Sequence, residues 1–198
     1  MVLMRLLIPL LLVLAAAPSA PAAQVISARA GRVSRVEGDV LQHCHQKKES
    51  LSPLKTGQVL HDGDAVVTSG GGQAVLALDP GSYLRVTGDA FLSLRETAFD
   101  RMHFDVDRGE VCVESKSLGK KAALVLHAPP GQLAVTKPGH YHVRVGPGGE
   151  TEALVLEGEI RYTDGGGGVA SVRSRGSVRF VRKGGADPDS HPPPGGRH

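Results

Sequence analysis

From Ala74 onward the chain alternates apolar and polar residues with a period of two. Ala74, Leu76 and Leu78 fall on one face, Asp79-Pro80-Gly81-Ser82 reverses the chain, and Leu84 and Val86 return to that face. Successive strand side chains point to opposite faces and Pro-Gly pre-sets turn dihedrals, so the pattern predicts a hairpin. Leu92 and Leu94 extend it. The same rhythm recurs along the chain. Val33, Val36 and Val40 flank Glu37-Gly38-Asp39, which predicts a first hairpin; Val59-Leu60 and Val66-Val67 flank His61-Asp62-Gly63-Asp64. Phe104 and Val106 precede Asp107-Arg108-Gly109, followed by Val111 and Val113. Leu124 and Leu126 lead through Pro129-Pro130-Gly131 to Leu133 and Val135, and Tyr141, Val143 and Val145 alternate with His140, His142 and Arg144. Leu154 and Leu156, then Ile160 and Tyr162, flank Glu157-Gly158-Glu159, and Val178 and Phe180 close the series. Many short strands separated by turn signals every eight to twelve residues predict an all-β sandwich or barrel. Asp64, Asp79 and Gly81 read as turn residues that set strand register.

Three segments break the rhythm. Gln42 to Pro53 is polar, basic and unpatterned and reads as a long surface loop; Gly165 to Gly168 reads as a flexible connection. Residues 183–198 are rich in Gly, Pro and Asp with no apolar face, so they cannot offset their ordering entropy and are expected to be a disordered C-terminal tail. At the other end, Arg5 precedes an apolar run from Leu6 to Ala17, and Ala20-Pro21-Ala22 supplies the small residues of a cleavage site. A run of about twelve residues suits a signal peptide and is too short to span a bilayer. Residues 1–22 are therefore expected to be removed, leaving a β domain over 23–182 that is exported to the periplasm or beyond without a stable membrane anchor.

Composition adds little pressure toward any partner class. The 198 residues carry a formal charge of +3 and only 4% aromatic residues, with no Trp. An export signal with few stacking residues disfavours nucleic acid.

The candidate chemistry is sparse. Cys44 and Cys112 are the two cysteines. In an oxidising compartment they either close a loop-to-strand disulfide or remain two thiols. His140 and His142 share a strand face and His127 lies on an earlier strand, which sketches a metal site without the carboxylate to complete it. A solvent-facing polar row is the plainer account. Arg173 and Arg175, two apart, share a strand face as an ordinary solvated surface or as a patch for an anionic polysaccharide or lipid head group. Nucleophile-elbow, zincin and phosphate-loop motifs are all missing from the sequence, so neither enzymatic activity nor a cofactor is expected.

The chain resembles the FecR domain family. The most specific stretches are Val33-Ser-Arg-Val-Glu-Gly38, Leu60-His-Asp-Gly-Asp64-Ala-Val-Val-Thr68 and Asp79-Pro-Gly-Ser-Tyr-Leu-Arg-Val86, with Arg108-Gly-Glu-Val111 and 128–145 similar to the family's second half. The resemblance implies a jelly-roll-like β-sandwich of many short, mostly antiparallel strands. In FecR-like regulators this domain sits in the periplasm and relays a signal from an outer-membrane transporter to a cytoplasmic sigma factor. Only five residues precede the apolar run here, so no sigma-binding region is expected ahead of it. The expected role is a non-catalytic exported module that binds or scaffolds an envelope protein or glycan. The alternative is a periplasmic signalling component that relays a stimulus to a membrane or sigma-factor regulatory partner.

Overall fold

The computed structural model describes residues 30–45, 50–79, 81–116 and 123–181. The expected leader and tail lie outside these residues. Twelve strands form one connected, mostly antiparallel sheet. They are β1 (Arg32–Cys44), β2 (Ser50–Pro53), β3 (Ala65–Asp79), β4 (Ser82–Ala98), β5 (Arg101–Ser115), β6 (Ala123–Ala128), β7 (Gly131–Val135), β8 (Gly139–Val145), β9 (Thr151–Glu157), β10 (Glu159–Asp164), β11 (Val169–Arg173) and β12 (Gly176–Phe180).

Four strands are too long for a single layer, and each is interrupted. Register breaks fall between Glu37 and Asp39 of β1, Val67 and Ala74 of β3, and Thr87 and Phe91 of β4. β5 changes partner across its own glycine: Arg101–Asp105 pair in parallel with β6, whereas Gly109–Ser115 pair with β8. The breaks line up around Gly38, Gly70–Gly72, Gly88 and Gly109, and there the sheet folds over on itself. A β-bulge bends its strand and sharpens its twist, which lets one strand serve two layers. Layer A contains β2, the second halves of β1 and β4, the first halves of β3 and β5, and β6, β7, β10 and β11. Layer B contains the remaining halves with β8, β9 and β12.

Close backbone approach fixes these corners. Gly109 adopts φ +91°, and a Cβ there would lie 2.3 Å from Cα of Ala90. Val33, Leu76, Leu84, Leu92, Phe104, Val111, Leu126, Val143, Val155 and Ile160 come from both layers and join one buried core. At the far end Tyr162 of β10 stacks on Phe180 of β12, with ring centroids 3.4 Å apart, joining the layers. The crossing from β9 to β10 is pinned by Tyr141, whose buried hydroxyl accepts from the Glu159 N–H at 3.0 Å and donates to the Lys137 carbonyl.

Several local expectations change. Glu37-Gly38-Asp39 and Asp107-Arg108-Gly109 are corners within continuous strands, not hairpin turns, because a positive-φ glycine serves a bulge as well as a turn. Gln42 to Pro53 is no loop at its ends. Gln42 to Cys44 continue β1, and Ser50–Pro53 pair back onto Leu41–Cys44. Gln42 is buried because it donates to Asp64 at 3.0 Å and accepts from Gln58. Gly165–Gly168 form the β10–β11 turn, ordered by Asp164, which accepts from the N–H groups of Gly166 and Gly168 at 2.9 and 2.6 Å.

Candidate functional site

The outward face of layer B carries the most organised surface. Antiparallel register places Arg35, Val75, Arg85, Cys112, His142 and Leu154 in one row across six strands. Beside it runs Ala77, Tyr83, Glu114 and His140. Between the rows lies a groove of about 480 Å³, lined by Arg35, Tyr83, Arg85, Cys112, His140 and Leu156 among others. Alternation elsewhere buries the larger apolar side chains, but β9 does the reverse. Ala153 and Val155 enter the core while Leu156, 58% exposed, points outward. Leu154 shares that outward face.

Charges around the groove are mostly matched. Arg35 pairs with Glu37, which also accepts from the Gln73 amide. That hydrogen bond, with the Arg35 charge, holds the Glu37 carboxyl below its usual range. Glu110 takes His142 at 3.5 Å and Arg144 at 3.6 Å. Arg85 and Glu114 are the exceptions: among the described residues neither lies within ion-pair distance of an opposite charge. The row neighbours of Arg85 are uncharged Val75 and Cys112. Burial pushes the Cys112 thiol up, against the opposing pull of the Arg85 charge.

The other singled-out residues scatter. His140 and His142 lie on β8 in layer B, whereas His127 lies on β6 in layer A, with Nε2 3.2 Å from Nδ1 of His103. The three imidazoles considered as metal ligands are therefore not brought together. Among the described residues no cluster of His, Cys, Asp and Glu is placed to hold a metal. Cys44 and Cys112 are both free thiols, so the disulfide considered for them is not formed. They sit on different ladders, Cys44 opposite Ser50 in layer A and Cys112 between Arg85 and His142 in layer B. Arg173 and Arg175 do not share a strand face. Arg173 ends β11, with Nε 3.5 Å from Glu159, while Arg175 occupies the following turn at φ +63°.

The Gly-Asp loop is a dense polar clip. Asp64, 2% exposed, accepts from Gln42 Nε2 at 3.0 Å and from the N–H groups of His61 and His45 at 3.0 and 3.2 Å. Asp62 accepts from the N–H and hydroxyl of Thr97 at 2.9 and 2.6 Å, a contact local sequence does not announce. Asp79 is buried opposite Ser82, and Gly81 takes φ +96° in the turn between them.

Residues 64–161 match the family model described as FecR protein. The chain carries a FecR domain. It runs from the Asp64 clip into β10 and contains every groove residue named above except Arg35, which β1 adds from outside it. Two crystal structures of a candidate anti-sigma factor from Parabacteroides distasonis ATCC 8503, at 2.50 and 1.65 Å resolution, share the fold with TM-scores of 0.52. They are 12% and 11% identical to this chain, and the alignments cover 62% of it. The matched region spans 56% and 57% of those chains, just over half their length. At such identity the likeness establishes fold alone. No curated protein matches the chain. Among the described residues no helix is long and apolar enough to cross a membrane.

Proposed function

We propose that the protein is a signalling component of the cell envelope, whose FecR domain receives a stimulus in the layer-B groove and passes it to a membrane or sigma-factor regulatory partner. The FecR domain match carries this reading, and the anti-sigma neighbours point the same way. They favour it over a passive scaffold for an envelope protein or glycan. The groove supplies the physical means. It is concave and spans strands from both ends of the domain, its lining mixes Val75, Tyr83 and Leu156 with charged and polar side chains, and among the described residues no carboxylate lies within ion-pair distance of its central guanidinium. Recognition sites combine these properties. Export to the periplasm belongs to the same proposal.

Deleting the protein in its native host and restoring it on a plasmid tests the role. The expected result is a defined set of transcripts that changes on deletion and returns with the wild-type chain. An unchanged transcriptome, with purified protein retaining envelope glycan, would support the scaffold reading instead.

A further inference from the structure

We propose that the layer-B groove binds a small amphiphilic monoanion of the medium-chain monocarboxylate class, its head on Arg85 and its apolar body between Tyr83 and Leu156. The inference names a ligand for the site just proposed and so rests on that reading.

The head-group position follows from the charge map. Arg35, His142, Arg144 and Arg179 each have a carboxylate close by, at Glu37, Glu110, Glu110 and Glu152. Among the described residues no carboxylate lies within ion-pair distance of Arg85, although its charge is near enough to help hold the Glu37 carboxyl down, and it sits at the middle of the row between a valine and a half-buried thiol. A guanidinium presents a planar fork of donors that suits a carboxylate.

The body position follows from the misplaced leucines. A sheet face turned to water normally carries polar residues. Here Val75, Leu154, Leu156 and Tyr83 stand on that face, Leu156 at 58% and Tyr83 at 37% exposure. Covering Leu156 and Tyr83 removes apolar area from water, a gain that free phosphate cannot supply. Glu114 disfavours each negative charge brought into the groove, so a dianion meets more repulsion than a monoanion. This carboxylate lines the groove between Tyr83 and His140, where another anionic group would meet it directly. The volume of about 480 Å³ falls in the range of small-molecule sites.

The test uses the full mature chain with three probes: decanoate below its micelle concentration, 1-decanol and inorganic phosphate. Amide resonances report the location and calorimetry the affinity. Decanoate is expected to shift the resonances of Val75, Arg85, Cys112, His142 and Leu156 saturably. R85Q is expected to weaken it about tenfold or more, the loss of one charge-assisted hydrogen bond. L156S is expected to weaken it several-fold. Both side chains are exposed, and unchanged melting temperatures would show that the variants fold. Decanol matching decanoate, phosphate matching decanoate, R85Q leaving affinity unchanged, or shifts spread over the whole surface would each overturn the proposal. If decanoate fails while the transcripts still depend on the protein, only the ligand assignment falls.

Discussion

Replacing Gly109 by alanine should damage this domain far more than a loop substitution of the same chemistry. Gly109 sits at φ +91°, and its added Cβ would lie 2.3 Å from Cα and 2.8 Å from N of Ala90, a residue with no exposed surface. A left-handed backbone costs an L-residue about 1–2 kcal/mol. Forcing a methyl group into packed backbone adds about 1–3 kcal/mol. The expected loss for G109A is therefore about 2–5 kcal/mol. Gly57 provides the control, since it holds φ +85° with nothing within 4 Å of the added Cβ. G57A should lose only the conformational part, about 1–2 kcal/mol. Urea denaturation followed by circular dichroism gives both values, with equal slopes showing that the denatured states are comparable. Equal losses in the two variants would refute the claim that β4 and β5 pass between layers through a backbone-to-backbone corner.

Other consequences follow from individual side chains. D64A leaves the Gln42 amide and two N–H groups without their buried acceptor and should cost about 1–3 kcal/mol in denaturant titration; an unchanged midpoint would show that the clip contributes nothing. Burial, aided by the nearby Arg95 charge, holds His127 below the usual imidazole range, and its closest titratable or charged neighbours are His103, Arg95 and Asp105. Its folded value lies below its unfolded one, so the stability it brings is present above about pH 6.5 and is lost as pH falls through the folded value. H127Q should therefore flatten the fall in melting temperature between pH 7.5 and pH 5; an equally steep fall would place the acid sensitivity elsewhere. Thiol titration of the purified, unfolded chain should return both Cys44 and Cys112, with Cys112 slow to react in the folded state because burial keeps its thiol protonated. A disulfide between them would return none.

The faces of the strands were legible in the sequence, and their partners were not. Period-two alternation correctly assigned Leu76, Leu84, Leu92, Phe104, Val111, Leu126 and Val143 to the interior, because one residue's slip would have exposed the whole set. The Asp79–Ser82 reversal is the β3–β4 turn. The corners at Gly38 and Gly109 were misread because a glycine beside an acidic residue suits a two-strand turn and a bent strand alike; only pairing with distant Gly72 and Ala90 decides between them. Gln42 looked like loop because its buried amide answers Asp64, twenty-two residues away. The groove was invisible for the same reason. Arg35, Arg85, Cys112 and His142 are far apart in sequence and adjacent only through ladder register. In β9 the alternation misleads: Leu154 and Leu156 continue the apolar series, but either pair satisfies period two and it is Ala153 and Val155 that face inward.

The central claim is that the layer-B groove receives the signal. Its most direct test is complementation of the deletion strain with a chain carrying both R85Q and L156S, at a level matched to wild type by immunoblot. The prediction is that the double variant accumulates and folds normally but leaves the dependent transcripts in their deletion state. Full restoration of those transcripts by the double variant would contradict it.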